Sequence, residues 1–102
     1  MGFGIELKDE WGAQLDTVAD PQNILDRLLP VPGDSSNPML GSIDPYGDTV
    51  FNVIQINWFL SEWSAVLAKA QTAEEQELTS KITAMAQRVR DGIGLYLKFV
   101  GD

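Results

Sequence analysis

The stretch QTAEEQELTSKITAMAQRVRDGIGLYLKFV, residues 71–100, changes its hydrophobic period once, and that change decides the fold class. Leu78, Ile82, Met85 and Val89 recur at helical spacing and keep one face apolar. Thr72 with Glu75 reads as a capping box, and Glu74, Glu75 and Glu77 stand near the positive end of the helix dipole. Arg88 and Arg90 stand near the carbonyl end, and Gly92 or Gly94 ends the run. From Leu95 to Val100 the period falls to two: Leu95, Leu97 and Phe99 face one way, Tyr96 and Lys98 the other. A helix that feeds a half-buried strand points to an α+β chain.

Gln71-Thr72 separates this helix from an earlier one, expected from Trp58 to about Ala70 with Asn57 as its cap. Its inward stripe is Phe59 or Leu60, Trp63, Val66 or Leu67, and Ala70, so Trp58 and Trp63 read as core or core margin. A join of one or two residues makes the two helices an antiparallel hairpin. Thr49 to Ile56 is rich in β-branched and aromatic residues on both faces, as an interior strand requires.

At the amino-terminal end, Phe3, Ile5 and Leu7 alternate with Gly4, Glu6 and Lys8. Asp9-Glu10-Trp11-Gly12 reads as a turn, and weaker alternation from Ala13 to Val18 completes a β-hairpin. Asp20-Pro21 opens a short helix carrying Ile24, Leu25, Leu28 and Leu29 on one face, and Pro30 and Pro32 stop it. Residues 33–48 are loop by composition, long enough to make them a natural place for function. The expected architecture is one α+β domain, residues 1–102. The β-hairpin plus two further strands form a four-stranded, mainly antiparallel sheet, with the helical hairpin packed on one face.

Chemistry is bounded by what the chain lacks. It has no cysteine and no histidine, which removes disulfides, thiolate metal sites and imidazole general bases. No cofactor and no catalytic role are expected. No apolar run approaches the ~20 residues of a membrane span, so the cytoplasm is the expected location, with no membrane partner. Nine acids in residues 1–50 (Glu6, Asp9, Glu10, Asp16, Asp20, Asp26, Asp34, Asp44 and Asp48) stand against Lys8 and Arg27, a net −7, whereas the second half is net −1. Nucleic acid needs a basic footprint and is not expected. A basic protein partner fits the asymmetry, and its plain alternative is that the acids only keep the chain in solution.

Asp44-Pro45-Tyr46-Gly47-Asp48 is the most distinctive local string. Its two carboxylates read first as turn builders, then as contacts for a basic partner, then as ligands for magnesium or calcium. Gly2-Phe3-Gly4 and Gly92-Ile93-Gly94 lack the strand-to-helix context and the lysine of phosphate loops. Trp11, beside Asp9 and Glu10, reads as an interface anchor or as a side chain folded over the sheet edge. Ser35-Ser36 has no base nearby and reads as solvated loop, and Glu62, Glu74, Glu75 and Glu77 read as solvated helix faces.

Asp44 to Asn52 (DPYGDTVFN) and Leu95 to Asp102 (LYLKFVGD) resemble segments of a group of short uncharacterised bacterial proteins. The small acidic character is similar to that of immunity proteins that neutralise polymorphic toxins, an analogy of type that carries over no binding residue; the charge asymmetry is what points to a basic partner. The candidate contact residues are Asp9, Glu10, Trp11, Asp44, Tyr46 and Asp48. Two rivals stand beside this expectation: a carboxylate-dependent metal enzyme built on Asp44 and Asp48, and a structural subunit that pairs the 95–100 strand edge with a copy of itself. The oligomeric state is left open.

Overall fold

Ile5 and Leu7 turn to the same side of their strand and are wholly buried there, so the first alternating run is a strand with one apolar face. The computed structural model describes residues 2–101; Met1, and Asp102 at the end of the second resembling segment, lie outside it. The elements in chain order are β1 (Gly4–Asp9), β2 (Gln14–Ala19), α1 (Ile24–Leu28), α2 (Pro38–Gly41), β3 (Asp48–Phe51), α3 (Ile56–Lys69), α4 (Ala73–Asp91) and β4 (Leu95–Val100). The strands form one antiparallel sheet in the order β2-β1-β4-β3. The α+β fold read from the sequence is therefore the fold observed.

The register aligns the core. Leu7 stands opposite Leu97 and Ile5 opposite Phe99, while Phe51 and Thr49 meet Leu97 and Phe99 from the other side. The first and last strands are thus the central pair. Two expectations need correction here. β4 is flanked on both sides, so residues 95–100 are not an exposed edge; the edges are β2 and β3. The expected interior strand Thr49–Ile56 is a four-residue edge strand that stops at Phe51.

The strand stops because helix entry begins at Asn52. Its side-chain oxygen accepts from the Ile54 and Gln55 amides at 2.9 and 3.0 Å, and its own amide donates to the Gln55 side chain at 2.9 Å. This reciprocal Asn–Gln pair does the work assigned to Asn57, and it starts α3 two residues earlier than the spacing predicts. The shift turns Trp58 outward to 60% exposure, while Trp63 stays in the core.

α3 buries Ile56, Phe59, Trp63 and Val66; α4 buries Leu78, Ile82, Met85, Ala86 and Val89. Phe59 stacks on Trp63 with centroids 5.2 Å apart and reaches the sheet at Phe51 (5.0 Å) and Phe99 (5.8 Å). Each such buried side chain contributes about 1.5–3 kcal/mol by leaving water. The helices join through residues 70–72, and the Thr72–Glu75 capping box is formed in both directions.

Three acids carry more structure than their composition suggests. Glu75, expected on a solvated face, is buried and accepts from the Gln71 and Thr72 amides, with Arg27 of α1 at 3.3 Å. Those backbone donors first, and Arg27 after them, hold its carboxyl below the usual glutamate range. Glu62, expected in solvent, accepts from Met39 and Leu40 amides at 3.1 and 2.8 Å and fastens the single turn of α2, within the expected loop, onto α3. Asp20 caps α1 from a distance: its carboxylate accepts from Ile24 and Leu25 amides at 2.8 Å, so the helix begins at Ile24, not at Pro21.

Candidate functional site

The sheet register divides the six candidate contact residues into two groups. Asp9 lies opposite Leu95, at one end of the central strand pair; Asp48 lies opposite Val100, at the other. Five residue steps along the strand put about 17 Å between those ends. Asp9, Glu10 and Trp11 belong to the first end, Asp44, Tyr46 and Asp48 to the second.

At the second end the acids build structure. Asp44 accepts from the Tyr46 amide at 2.8 Å, and Asp48 lies 3.4 Å from the Lys98 ammonium. The Gly101 amide donates to the Gly47 carbonyl at 2.7 Å, and a Cβ on Gly101 would stand 2.6 Å from the Asp44 carbonyl oxygen. The two segments that carry the resemblance therefore meet in space as one turn-and-strand unit. Lys98 already supplies the positive charge facing Asp48, which disfavours a cation there. Among the described residues no group of three carboxylates could hold a metal ion. Tyr46 is left 84% exposed at the turn.

At the first end the hairpin turn closes on Asp9, whose Oδ1 accepts from the Trp11 and Ala13 amides, both at 2.9 Å. Gly12 has φ +83°, a left-handed conformation that costs glycine nothing. This geometry lifts Trp11 out of the sheet to 85% exposure, so it does not fold back over the edge.

Two other turns come to the same end. The α4–β4 turn adjoins the hairpin, since a Cβ on Gly94 would lie 3.3–3.5 Å from the Glu10 carboxyl atoms. It presents Ile93 at 95% exposure. β3 also runs toward this end, and the β3–α3 turn presents Val53 and Ile54, both exposed. Trp11, Ile93, Ile54 and Val53 thus come from three separate turns on one end of the sheet. Asp9 and Glu10 supply its acidic rim, and Arg90 at the end of α4 is paired with Asp91 at 2.8 and 3.0 Å. That pairing keeps the Asp91 carboxyl below its ordinary range.

Comparison with family models, with curated proteins and with solved structures finds no match to this chain. Function must be read from the geometry.

The sequence pattern does not mark Ile93, Val53 and Ile54 as surface residues. The Gly92-Ile93-Gly94 string reads only as the end of an element, and Ile93 stands exposed within it. The β-branched run places Val53 and Ile54 in a strand; the Asn52–Gln55 spacing is the signal that they belong to a turn.

Proposed function

We propose that the chain is a protein-recognition module whose contact surface is the hairpin end of the sheet. The observation that carries this reading is that four exposed apolar residues, Trp11, Ile93, Ile54 and Val53, stand on three turns at the same end of the sheet. Exposed apolar side chains that share one end of a sheet are candidates for a docking surface. A turn whose backbone is fixed by Asp9 presents a tryptophan outward as an anchor, and little backbone freedom is lost there on binding. The acids at Asp9 and Glu10, within the half that carries net −7, suit a partner whose pocket is rimmed by lysine or arginine. An inhibitor of the immunity type, seated on a basic enzyme, is the specific form of this reading.

The test is affinity capture with the tagged chain in extracts of its source cells, repeated with variants at each end. A specific partner is expected to be lost with Trp11→Ala or Ile93→Ser and kept with Tyr46→Ala. A partner lost only with Tyr46→Ala or Asp48→Lys would place recognition at the opposite end and overturn the reading.

A further inference from the structure

Trp58 and Glu62 stand four residues apart on α3 and so share a face of that helix. Trp58 is 60% exposed there. Against this face lies the single turn of α2, which the Glu62 carboxylate holds through the Met39 and Leu40 amides. Pro38, Met39, Trp58, Ser61 and Glu62 line one open depression of about 380 Å³. Its walls are an indole, a thioether and a proline ring. Glu62 is the one charged residue in that lining, and it has no ion pair among the described residues.

The chemistry of the lining selects a ligand class. An accessible indole face attracts a cation through its ring quadrupole, and tryptophan does so best among the aromatic side chains. Glu62 adds a negative charge, which favours a cation over a neutral apolar group of the same shape. Each Glu62 oxygen already accepts a backbone N–H, at 3.1 and 2.8 Å. That disfavours the parallel two-bond contact in which a guanidinium binds a carboxylate best. A primary ammonium would lose its water against apolar walls that offer its three donors little in return. A quaternary ammonium has no N–H to satisfy and carries its charge under methyl groups. It fits all three constraints.

We propose that the depression between α2 and α3 binds a small organic cation of the quaternary ammonium class. The methyl groups of the ligand lie against Trp58 and Met39, and its charge faces Glu62. The site shares no residue with the surface at the hairpin end and does not rest on the reading given for it.

The probes are choline and its neutral carbon isostere, in which a tert-butyl group replaces the trimethylammonium, each titrated into the isotopically labelled chain. Choline is expected to shift the Trp58 indole N–H and the Met39, Ser61 and Glu62 amides, and to bind about two- to fivefold more tightly than the isostere. Added salt should narrow that gap. Trp58→Leu keeps an apolar side chain at an exposed helix position but removes the ring face, and should abolish most of the preference for choline. Glu62→Gln removes the charge and should narrow the gap as well; because it also loosens the hold on α2, Trp58→Leu is the deciding variant. Trp11, exposed beside Asp9 and Glu10, is the internal control for an aromatic ring and acids without this lining, and its indole should shift less. Equal binding of the two probes, tighter binding of methylguanidinium or butylammonium, shifts as large at Trp11 as at Trp58, or no shift in tens of millimolar choline would each overturn the proposal.

Discussion

Trp63 Nε1 donates to Thr83 Oγ1 across 2.9 Å and ties the buried side of α3 to α4. Thr83 in turn donates to the Thr79 carbonyl at 2.7 Å, so its hydroxyl is oriented to accept from the indole. Thr83→Val keeps the shape and strands the indole N–H inside the core, which costs about 1–3 kcal/mol. Thr83→Ser restores the acceptor and should recover most of that loss. In the Trp63→Phe background the further cost of Thr83→Val should shrink, because no donor is left unpaired. Urea denaturation of the four chains measures this coupling directly.

Glu75 links stability to pH. Its carboxyl is held below the ordinary value of 4.5, first by the Gln71 and Thr72 amides and then by Arg27. The unfolded chain therefore takes up this proton more readily than the folded one. The contribution is complete above the unfolded value and is lost as pH falls through the folded one. Urea midpoints between about pH 5 and pH 3 should fall more steeply for the parent chain than for Glu75→Gln. Equal slopes would remove Glu75 from the account of acid unfolding.

Gly101 is packed where no side chain fits. A Cβ there would lie 2.6 Å from the Asp44 oxygen, 2.6 Å from the Pro45 carbonyl carbon and 2.7 Å from the Gly47 amide, all backbone atoms. Gly101→Ala must move the Asp44–Gly47 turn and should cost about 1–3 kcal/mol. Gly4→Ala is the control: its Cβ would meet only Val100, at an ordinary 3.8 Å. Thermal melts should separate the two substitutions by about 4 °C or more.

Trp11 and Trp63 make opposite spectroscopic predictions. Trp11 is 85% exposed and Trp63 is fully buried. Trp11→Phe should remove part of the acrylamide-quenchable emission, leaving that of Trp58, and change stability by less than about 0.5 kcal/mol. With Trp58→Phe added, the remaining emission should be blue-shifted and poorly quenched. A loss of stability on removing Trp11 would mean that the hairpin tip packs against the domain.

Local signals made the helices and the central strands readable. The Thr72–Glu75 box, the apolar stripe of α4 and the alternation of β1 and β4 all depend on neighbours within a few residues, and each formed as its spacing predicts. Partnership between strands was not readable, because pairing β1 with β4 joins residues separated by nearly the whole chain. Without it the central strand 95–100 looked like an edge, and Asp9 and Asp48 looked like members of one acidic surface. Asn52 shows the other limit. A β-branched run masked a capping pair three residues apart, and the misplaced boundary hid Val53 and Ile54 from the candidate surface.

The parity of β4 gives the sharpest test of the sheet. Phe99 faces inward, with ring centroids 6.2 Å from Phe3, 6.0 Å from Phe51 and 5.8 Å from Phe59, so it joins the residue that leads into β1 to β3 and α3. Tyr96 lies on the opposite face, across from Lys8, and is only partly buried. Phe99→Ala should cost about 3–5 kcal/mol, a large share of the roughly 5–15 kcal/mol that holds a domain together. Tyr96→Ala removes a ring of similar size and should cost about 1 kcal/mol or less, since little packing is lost. If the two variants unfold at the same urea concentration, the inward and outward assignments along this strand are wrong, and with them the register that sends Asp9 and Asp48 to opposite ends.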